Sequence, residues 1–438
     1  MSALLKNALI CACSAVLVAC GGGSSGGSSD DFLSSSSSSS SVSSSSESSE
    51  SSESSESSSS ESSSSSSSSS SEGPIAIEPD FDLYAVTPSD FPVGVAVSAA
   101  NESYSIFNHS DASARQDVIT RHFSQLTAGN IMKMSYLHPQ EDTFTFGDAD
   151  QLVGFAETNG MTIHGHALVW HSSYQVPGFM NNYEGDFAAM LTEHVTGVVE
   201  HFETDFPGVV TSWDVVNEAV DQGAADGFRR SVFYNELPPA AEGDIPEYLK
   251  VAFQAARDAG PGIDLYYNDY DNTANTTRLN KTLQIAEALK EEGTIDGVGF
   301  QMHIYMDYPS LSHFENAFQQ VVDMGLKVKI TELDIAVVNP YGGGGAPALP
   351  EYDEELAADQ KQRFCQVAQV YLDTVPAELR GGLTVWGLTD DESWLMNQFA
   401  NAAGANYDDV WPLLFNADLS AKPALQGVAD AFTGQGCN

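Results

Sequence analysis

Val-Lys-Ile-Thr-Glu-Leu-Asp-Ile (328–335) reads as a buried strand, yet it carries two carboxylates, Glu332 and Asp334, near its end. Ser-Trp-Asp-Val-Val-Asn-Glu-Ala (212–219) repeats the arrangement and places Glu218 there. Working outward from these two, similar apolar, β-branched runs recur near Pro92–Ser98, Ile131–Tyr136, Thr162–Val169, Val209–Asn217, Asp264–Asn268, Gly297–His303, Lys327–Ile335 and Gly382–Leu388. Segments with helical spacing lie between them: Asp148–Thr158, Phe187–Phe202, Pro246–Ala259, Thr277–Glu292, Ser312–Met324 and Ala357–Thr374. Strand-then-helix units of this number predict an α/β fold, a parallel (β/α)8 TIM barrel. Function in such barrels gathers at the C-terminal ends of the strands. The unusual polar residues cluster there: Asn130 and Lys133, His166 to His171, Asn217 and Glu218, Asn268 to Tyr270, Gln301 and His303, Glu332 and Asp334, and Trp386.

A carboxylate at the end of a core strand is expensive to bury unless something uses it. Two of them, more than a hundred residues apart in sequence, suggest a pair converging on one bond. Glycosidic cleavage is the reaction that most simply needs such a pair. Because residues i and i+2 share a side of a strand, Glu332 and Asp334 share a face, as do Gln301 and His303. A histidine between two carboxylates is fixed in orientation. The expected relay is Glu332–His303–Asp334, with His303 held by Asp334.

The N-terminal part belongs to another class of chain. Residues 1–19 hold one lysine, Lys6, and an apolar stretch ending Leu17-Val18-Ala19, followed by Cys20. That is the pattern of a secretory signal, and its end resembles a bacterial lipobox, in which Cys20 is acylated. Residues 20–72 are nearly all serine with interspersed glutamates, and such a tract is expected to be a disordered linker. The catalytic domain is then residues 73–438, about 365 residues, a comfortable length for one barrel with insertions. Cys365 and Cys437 remain after export, and the sequence leaves open whether they are bridged.

The net charge is −44, from 17 basic and 61 acidic residues. Only eight of the acids (Asp30, Asp31, Glu47, Glu50, Glu53, Glu56, Glu61 and Glu72) precede residue 73, so the folded part is itself strongly acidic. That argues against nucleic acid or anionic phospholipid as a direct partner. Gly342–Gly345 carries no strand-to-helix phosphate signature, and no cofactor or metal is expected.

The motifs together resemble the family 10 glycoside hydrolases, mostly endo-β-1,4-xylanases. The matching residues are Gly165-His166-Ala167-Leu168-Val169-Trp170-His171, Trp213-Asp214-Val215-Val216-Asn217-Glu218, Tyr267-Asn268-Asp269-Tyr270, Gln301-Met302-His303, Ile330-Thr331-Glu332-Leu333-Asp334 and Val385-Trp386-Gly387-Leu388-Thr389-Asp390. The resemblance implies that Glu218 is the general acid/base and Glu332 the nucleophile, with retention of configuration and carboxyl groups about 5–5.5 Å apart. It implies a raised pKa for Glu218, caused by the charge of Glu332. Asn217 is similar to the family's donor to the sugar 2-hydroxyl. His166, Trp170, Gln301 and His303 match the ring around the cleaved sugar, and Trp386 and Trp394 the aromatic floor and wall. Asn130 and Lys133 match the grip on the next sugar, and Tyr270 belongs to the same substrate-binding set. The expected partners are xylan or arabinoxylan and xylo-oligosaccharides, with a lipid anchor at Cys20. The expected state is a monomer, exported as an outer-membrane lipoprotein of a Gram-negative bacterium, facing the cell surface or the periplasm.

Departures from the family pattern carry information. Where the family commonly has Glu-Asn-x-Met-Lys-Trp, this chain has Gly129-Asn130-Ile131-Met132-Lys133-Met134. The missing carboxylate either opens the −2 subsite to an arabinose decoration or only weakens it. Another β-1,4 glycan as substrate, and an inert glycan-binding lipoprotein, are the alternative readings; the second predicts loss of Glu218 or Glu332, and both are present.

Overall fold

The computed structural model describes residues 74–88, 91–342 and 345–437. The signal peptide, Cys20 and the serine-rich linker lie outside the described residues. The barrel strands are β1 (Val93–Val97), β2 (Gln125–Ala128), β3 (Thr162–Trp170), β4 (Val210–Asn217), β5 (Asp264–Asp269), β6 (Gly297–Phe300), β7 (Lys327–Ala336) and β8 (Arg380–Val385). Each pairs in parallel with its neighbours in the chain, and β8 pairs with β1, which closes the ring. A short piece, His303–Tyr305, prolongs β6 beside β7 in register His303↔Asp334. The break between the two pieces is Gln301-Met302, with Met302 in the left-handed region at φ 66°.

The helices are α1 (Ala112–His122), α2 (Met134–Leu137), α3 (Gly147–Thr158), α4 (Phe187–Asp205), α5 (Val232–Glu236) and α6 (Glu247–Ala259). They continue with α7 (Thr276–Glu292), α8 (Leu311–Asp323), α9 (Glu354–Thr374), α10 (Leu395–Ala403) and α11 (Pro423–Thr433). Most of their buried faces and the outward residues of the strands form one large core, for instance Val198, Val199 and Phe202 of α4 with Val210 of β4, while Leu395 and Phe399 of α10 belong to a second, smaller cluster with Ala336, Val338 and Val410. The last helix packs on α9, and the Cys365–Cys437 disulfide fixes the chain end there, with Cα atoms 5.4 Å apart. That settles the pairing the sequence left open.

One strand expectation fails. The second strand is Gln125–Ala128, and Ile131–Tyr136 is instead a turn leading into α2. The reason is the polar filling of the barrel. Gln125 is buried and its Oε1 accepts from Lys329 Nζ at 2.7 Å, so this strand lacks the apolar run that marks the others. Ile131, Met132 and Met134 are apolar because they are buried in the core although they lie outside a strand. Asn130 and Lys133 therefore sit on that loop, still at the C-terminal mouth. Lys329 is wholly buried inside the barrel, and burial pulls its ammonium down to about 8.

Candidate active site

Glu218 follows directly on β4 with φ 59°, a conformation that costs energy for any residue with a Cβ. Its backbone is clamped from both sides: its N–H donates to Asn268 O at 2.9 Å, and its carbonyl accepts from Arg229 Nε at 3.0 Å. The carboxylate is buried and fully partnered. Oε1 accepts from Gln301 Nε2 at 3.1 Å and Asn217 Nδ2 at 3.3 Å. Oε2 faces His171 Nε2 at 3.2 Å.

Glu332 lies near the end of β7. Its Oε1 accepts from Asn268 Nδ2 at 2.8 Å, and its Oε2 from His303 Nε2 at 3.2 Å. His303 Nδ1 donates to Asp334 Oδ2 at 2.8 Å. The relay anticipated from strand periodicity is present. Burial opposes charge on His303, but Asp334 and Glu332 outweigh it and raise the imidazole to about 10. His303 is therefore an imidazolium at neutral pH and donates through both ring nitrogens.

The two glutamates are tied together. Asn217 Oδ1 accepts from Asn268 Nδ2 at 3.1 Å and Gln301 Nε2 at 3.3 Å. A continuous path, Glu218–Asn217–Asn268–Glu332, thus spans the mouth, built on the register Asn217↔Asn268 of β4 and β5.

Around this centre His166 Nδ1 pairs with Asp214 Oδ2 at 2.8 Å, and its ring meets Trp386 edge-on at 5.2 Å. The Trp394 indole N–H donates to Asp334 Oδ2 at 3.1 Å, and its ring lies 4.8 Å from that of His303. Lys133 Nζ stands 4.8 Å over the Trp170 ring and donates to Asn130 Oδ1 at 3.2 Å. Tyr270 OH accepts from Arg229 at 3.1 Å while the Arg278 guanidinium covers its ring at 3.9 Å. The candidate catalytic and sugar-contacting residues thus gather at one mouth.

The expected direction for the Glu218 pKa is corrected. Burial pushes the carboxyl up, but the bond and charge of His171, the Arg229 guanidinium and the Gln301 amide prevail and hold it well below the usual carboxylate range. The charge of Glu332 does not decide it. His171, Asn268, Asp214 and Arg229 are the partners that sequence reading missed in these roles. His171, Asn268 and Asp214 stood inside the quoted motifs, but their contacts depend on cross-strand neighbours such as His166↔Asp214. His166, Asp214 and Glu332 also bring donor atoms within 4.8 Å of one another, the spacing of a metal cage. However, His166 Nδ1 is spent on Asp214, and Glu332 on Asn268 and His303.

Residues 83–431 match Glycosyl hydrolase family 10. The chain is 46% identical over 362 residues to the endo-beta-1,4-xylanase Xyn10C of Cellvibrio japonicus, covering 80% of this chain and 58% of that protein. It is 41% identical over 363 residues to endo-1,4-beta-xylanase A of Cellvibrio japonicus, covering 79% of this chain and 56% of that one. The chain thus spans less than two thirds of the length of these relatives. Native xylanase 10C from Cellvibrio japonicus superposes with TM-score 0.76 at 44% identity, over 84% of this chain and 76% of that chain. A mutant of the same xylanase bound to xylopentaose gives TM-score 0.76 at 44% identity, over 83% and 71% of the two chains. Strand order, site geometry and these likenesses agree, and the chain belongs to glycosyl hydrolase family 10.

Proposed function

We propose that this chain is a retaining endo-β-1,4-xylanase, with Glu332 as nucleophile and Glu218 as general acid/base. The observation that carries the reading is the path Glu218–Asn217–Asn268–Glu332 with the charged His303 behind Glu332. Two carboxylates in one mouth suit double displacement. Asn268 and His303 leave Glu332 an aligned carboxylate, and Asp334 keeps His303 from turning away. The relatives named endo-1,4-beta-xylanase and the xylopentaose complex of one of them support xylan as the substrate.

The low pKa of Glu218 in the free site gives sugar binding a task. A leaving-group oxygen arriving at Oε2 takes the place of His171 Nε2 and excludes water. Glu218 then loses the partner that holds it ionised and faces the charge of Glu332, so it takes up a proton. After the sugar is esterified to Glu332 that charge is gone, and Glu218 releases its proton readily and serves as base toward water.

The test is direct. Glu332→Ala should abolish hydrolysis of every xyloside. Glu218→Ala should release one equivalent of an activated phenol from an aryl xylobioside and then stall. Identical behaviour of the two variants on activated substrates would overturn the role assignment. Hydrolysis of carboxymethylcellulose as fast as xylan would move the substrate to another β-1,4 glycan.

Two finer readings follow. A Cβ built at Gly129 meets only the Val97 carbonyl, at 3.4 Å, so the space beside Asn130 is open and supports access for an arabinose side chain. Gly129→Glu should then lower the rate on arabinoxylan more than on linear xylan; an equal change on both rejects it. Cys20 is read as the lipid-bearing residue of an exported, monomeric, outer-membrane protein tethered by its serine-rich segment. The disulfide fits an oxidising compartment. Labelled palmitate should enter the full chain and not its Cys20→Ala variant.

A further inference from the structure

Two loops meet beside the catalytic pair. After β1 the chain turns at Ala99 to Glu102, where the Glu102 N–H donates to Ala99 O at 3.1 Å. The Ala99 N–H returns a bond to Glu102 Oε2 at 2.7 Å, which locks the carboxylate onto its own turn. The other oxygen, Oε1, accepts from Asn130 Nδ2 at 2.7 Å. Asn130 Oδ1 in turn accepts from Lys133 Nζ, which lies over the ring of Trp170. Donation thus passes from Lys133 to Asn130 and from Asn130 to Glu102, which also accepts from the Ala99 N–H.

This order has a chemical consequence. An amide NH2 facing a carboxylate cannot exchange places with its own oxygen, so the orientation of Asn130 is set by Glu102. With one donor given to Glu102 and its oxygen taken by Lys133, Asn130 is largely occupied inside the protein. Glu102 is only half-buried, and each of its oxygens accepts one hydrogen bond and keeps lone-pair capacity. A charged acceptor of that kind binds a hydroxyl more tightly than a neutral one. Position 129, next to Asn130, is a glycine and offers no side chain there.

We infer that Glu102 organises the sugar subsite beside the cleaved bond: it fixes Asn130 and through it Lys133, and it supplies the carboxylate acceptor for a pyranose hydroxyl. The inference rests on the xylanase reading and deepens it. Lys133 feels the charges of Glu332, Glu218 and Glu102 together, which puts Glu102 on the same mouth as the reacting groups.

The experiment compares 4-nitrophenyl xyloside, which fills only the cleaved-sugar site, with 4-nitrophenyl xylobioside, which also fills the neighbouring one. In Glu102→Gln one oxygen becomes an NH2, so the carboxylate can no longer accept from both Ala99 and Asn130. The ratio of kcat/KM on xylobioside to that on xyloside should fall about tenfold, the worth of one charge-assisted hydrogen bond. The loss should appear in KM rather than in kcat. Glu102→Asp, which keeps the charge and loses the reach, should fall between the two, and it decides the matter by the same ratio if the Gln variant does not fold. A ratio within twofold of the wild type, whether both activities drop or neither does, would make Glu102 a structural residue only and overturn the inference. A wild type inert on both glycosides would sink the xylanase reading, and this one with it.

Discussion

Asp334 Oδ2 accepts two hydrogen bonds, from His303 Nδ1 at 2.8 Å and from the Trp394 indole at 3.1 Å. Trp394 therefore contributes more than its ring, because its N–H helps fix the carboxylate that fixes His303. Trp394→Phe keeps most of the ring and removes that one donor. It should lower kcat on xylo-oligosaccharides about tenfold, the size expected for a hydrogen bond to a charged group, with a smaller change in KM. Steady-state kinetics check this, and a KM effect alone would return Trp394 to the role of a wall. At this scale the sequence was most legible where one strand carries the whole message. Glu332 and Asp334 stand two residues apart on one strand, and their joint action with His303 follows from strand periodicity. Asn268 and Asp214 became partners of Glu332 and His166 only through the register of adjacent strands. The sign of the Glu218 shift was missed for a related reason: His171 and Arg229 reach it from two other segments.

At the scale of elements, β3 and β4 illustrate how closely the barrel wall is packed. A Cβ built on Gly165 of β3 would come within 2.2 Å of the Trp213 ring of β4. Trp213 is fully buried and has Phe202 of α4 as a neighbour, with ring centroids 6.0 Å apart, so it has little room to yield. Gly165→Ala should therefore destabilise the protein by about 3 kcal/mol, the upper range for overpacking, and thermal unfolding will measure it. Unchanged melting would mean that the Trp213 ring can move. The same elements explain what could be read in advance. Strands whose outward residues meet helices show β-branched runs, and seven were placed to within a few residues. The second strand carries Gln125 and Thr127 on its buried positions, so its polar sequence hid it, while the buried loop after it imitated a strand. Helix α1 escaped notice because it buries only Arg115, Ile119 and His122, too few apolar residues for a helical period. Arg115 is held instead by ion pairs to Asp111 and Glu392.

For the molecule as a whole, covalent closure and proton uptake set the limits of stability. The Cys365–Cys437 bridge spans a sequence separation of 72 residues and ties α9 to the chain end. On the chain-entropy account a loop of that size is worth about 4 kcal/mol, so a reductant should lower the urea midpoint by a corresponding amount. No shift in the midpoint after verified thiol release would show that packing of α11 on α9 suffices.

The pH range follows from three histidines. His194 on α4 is buried beside His138, with Nε2 at 2.8 Å from Leu168 O. Burial pulls its pKa down to about 4, as it does for His122 on α1. In the unfolded chain both titrate near 6.5, so the unfolded state takes up protons first as acid is added. Their contribution is fully present above about pH 6.5 and is lost as pH falls through about 4; for His194 alone it is on the order of 3 kcal/mol. His303 has the opposite sign. Its pKa is raised to about 10 by Asp334 and Glu332, so its contribution is fully present below about pH 6.5 and fades as pH rises through 10. These opposing slopes put the greatest stability of the histidine set near about pH 6.5. Urea unfolding at pH 4, 5, 7 and 9 should show a steep fall on the acid side, and His194→Phe should flatten that fall while leaving the alkaline side alone. An acid limb of unchanged slope in that variant would assign the loss to the carboxylates, whose protonation in an acidic protein of net charge −44 acts over the same range.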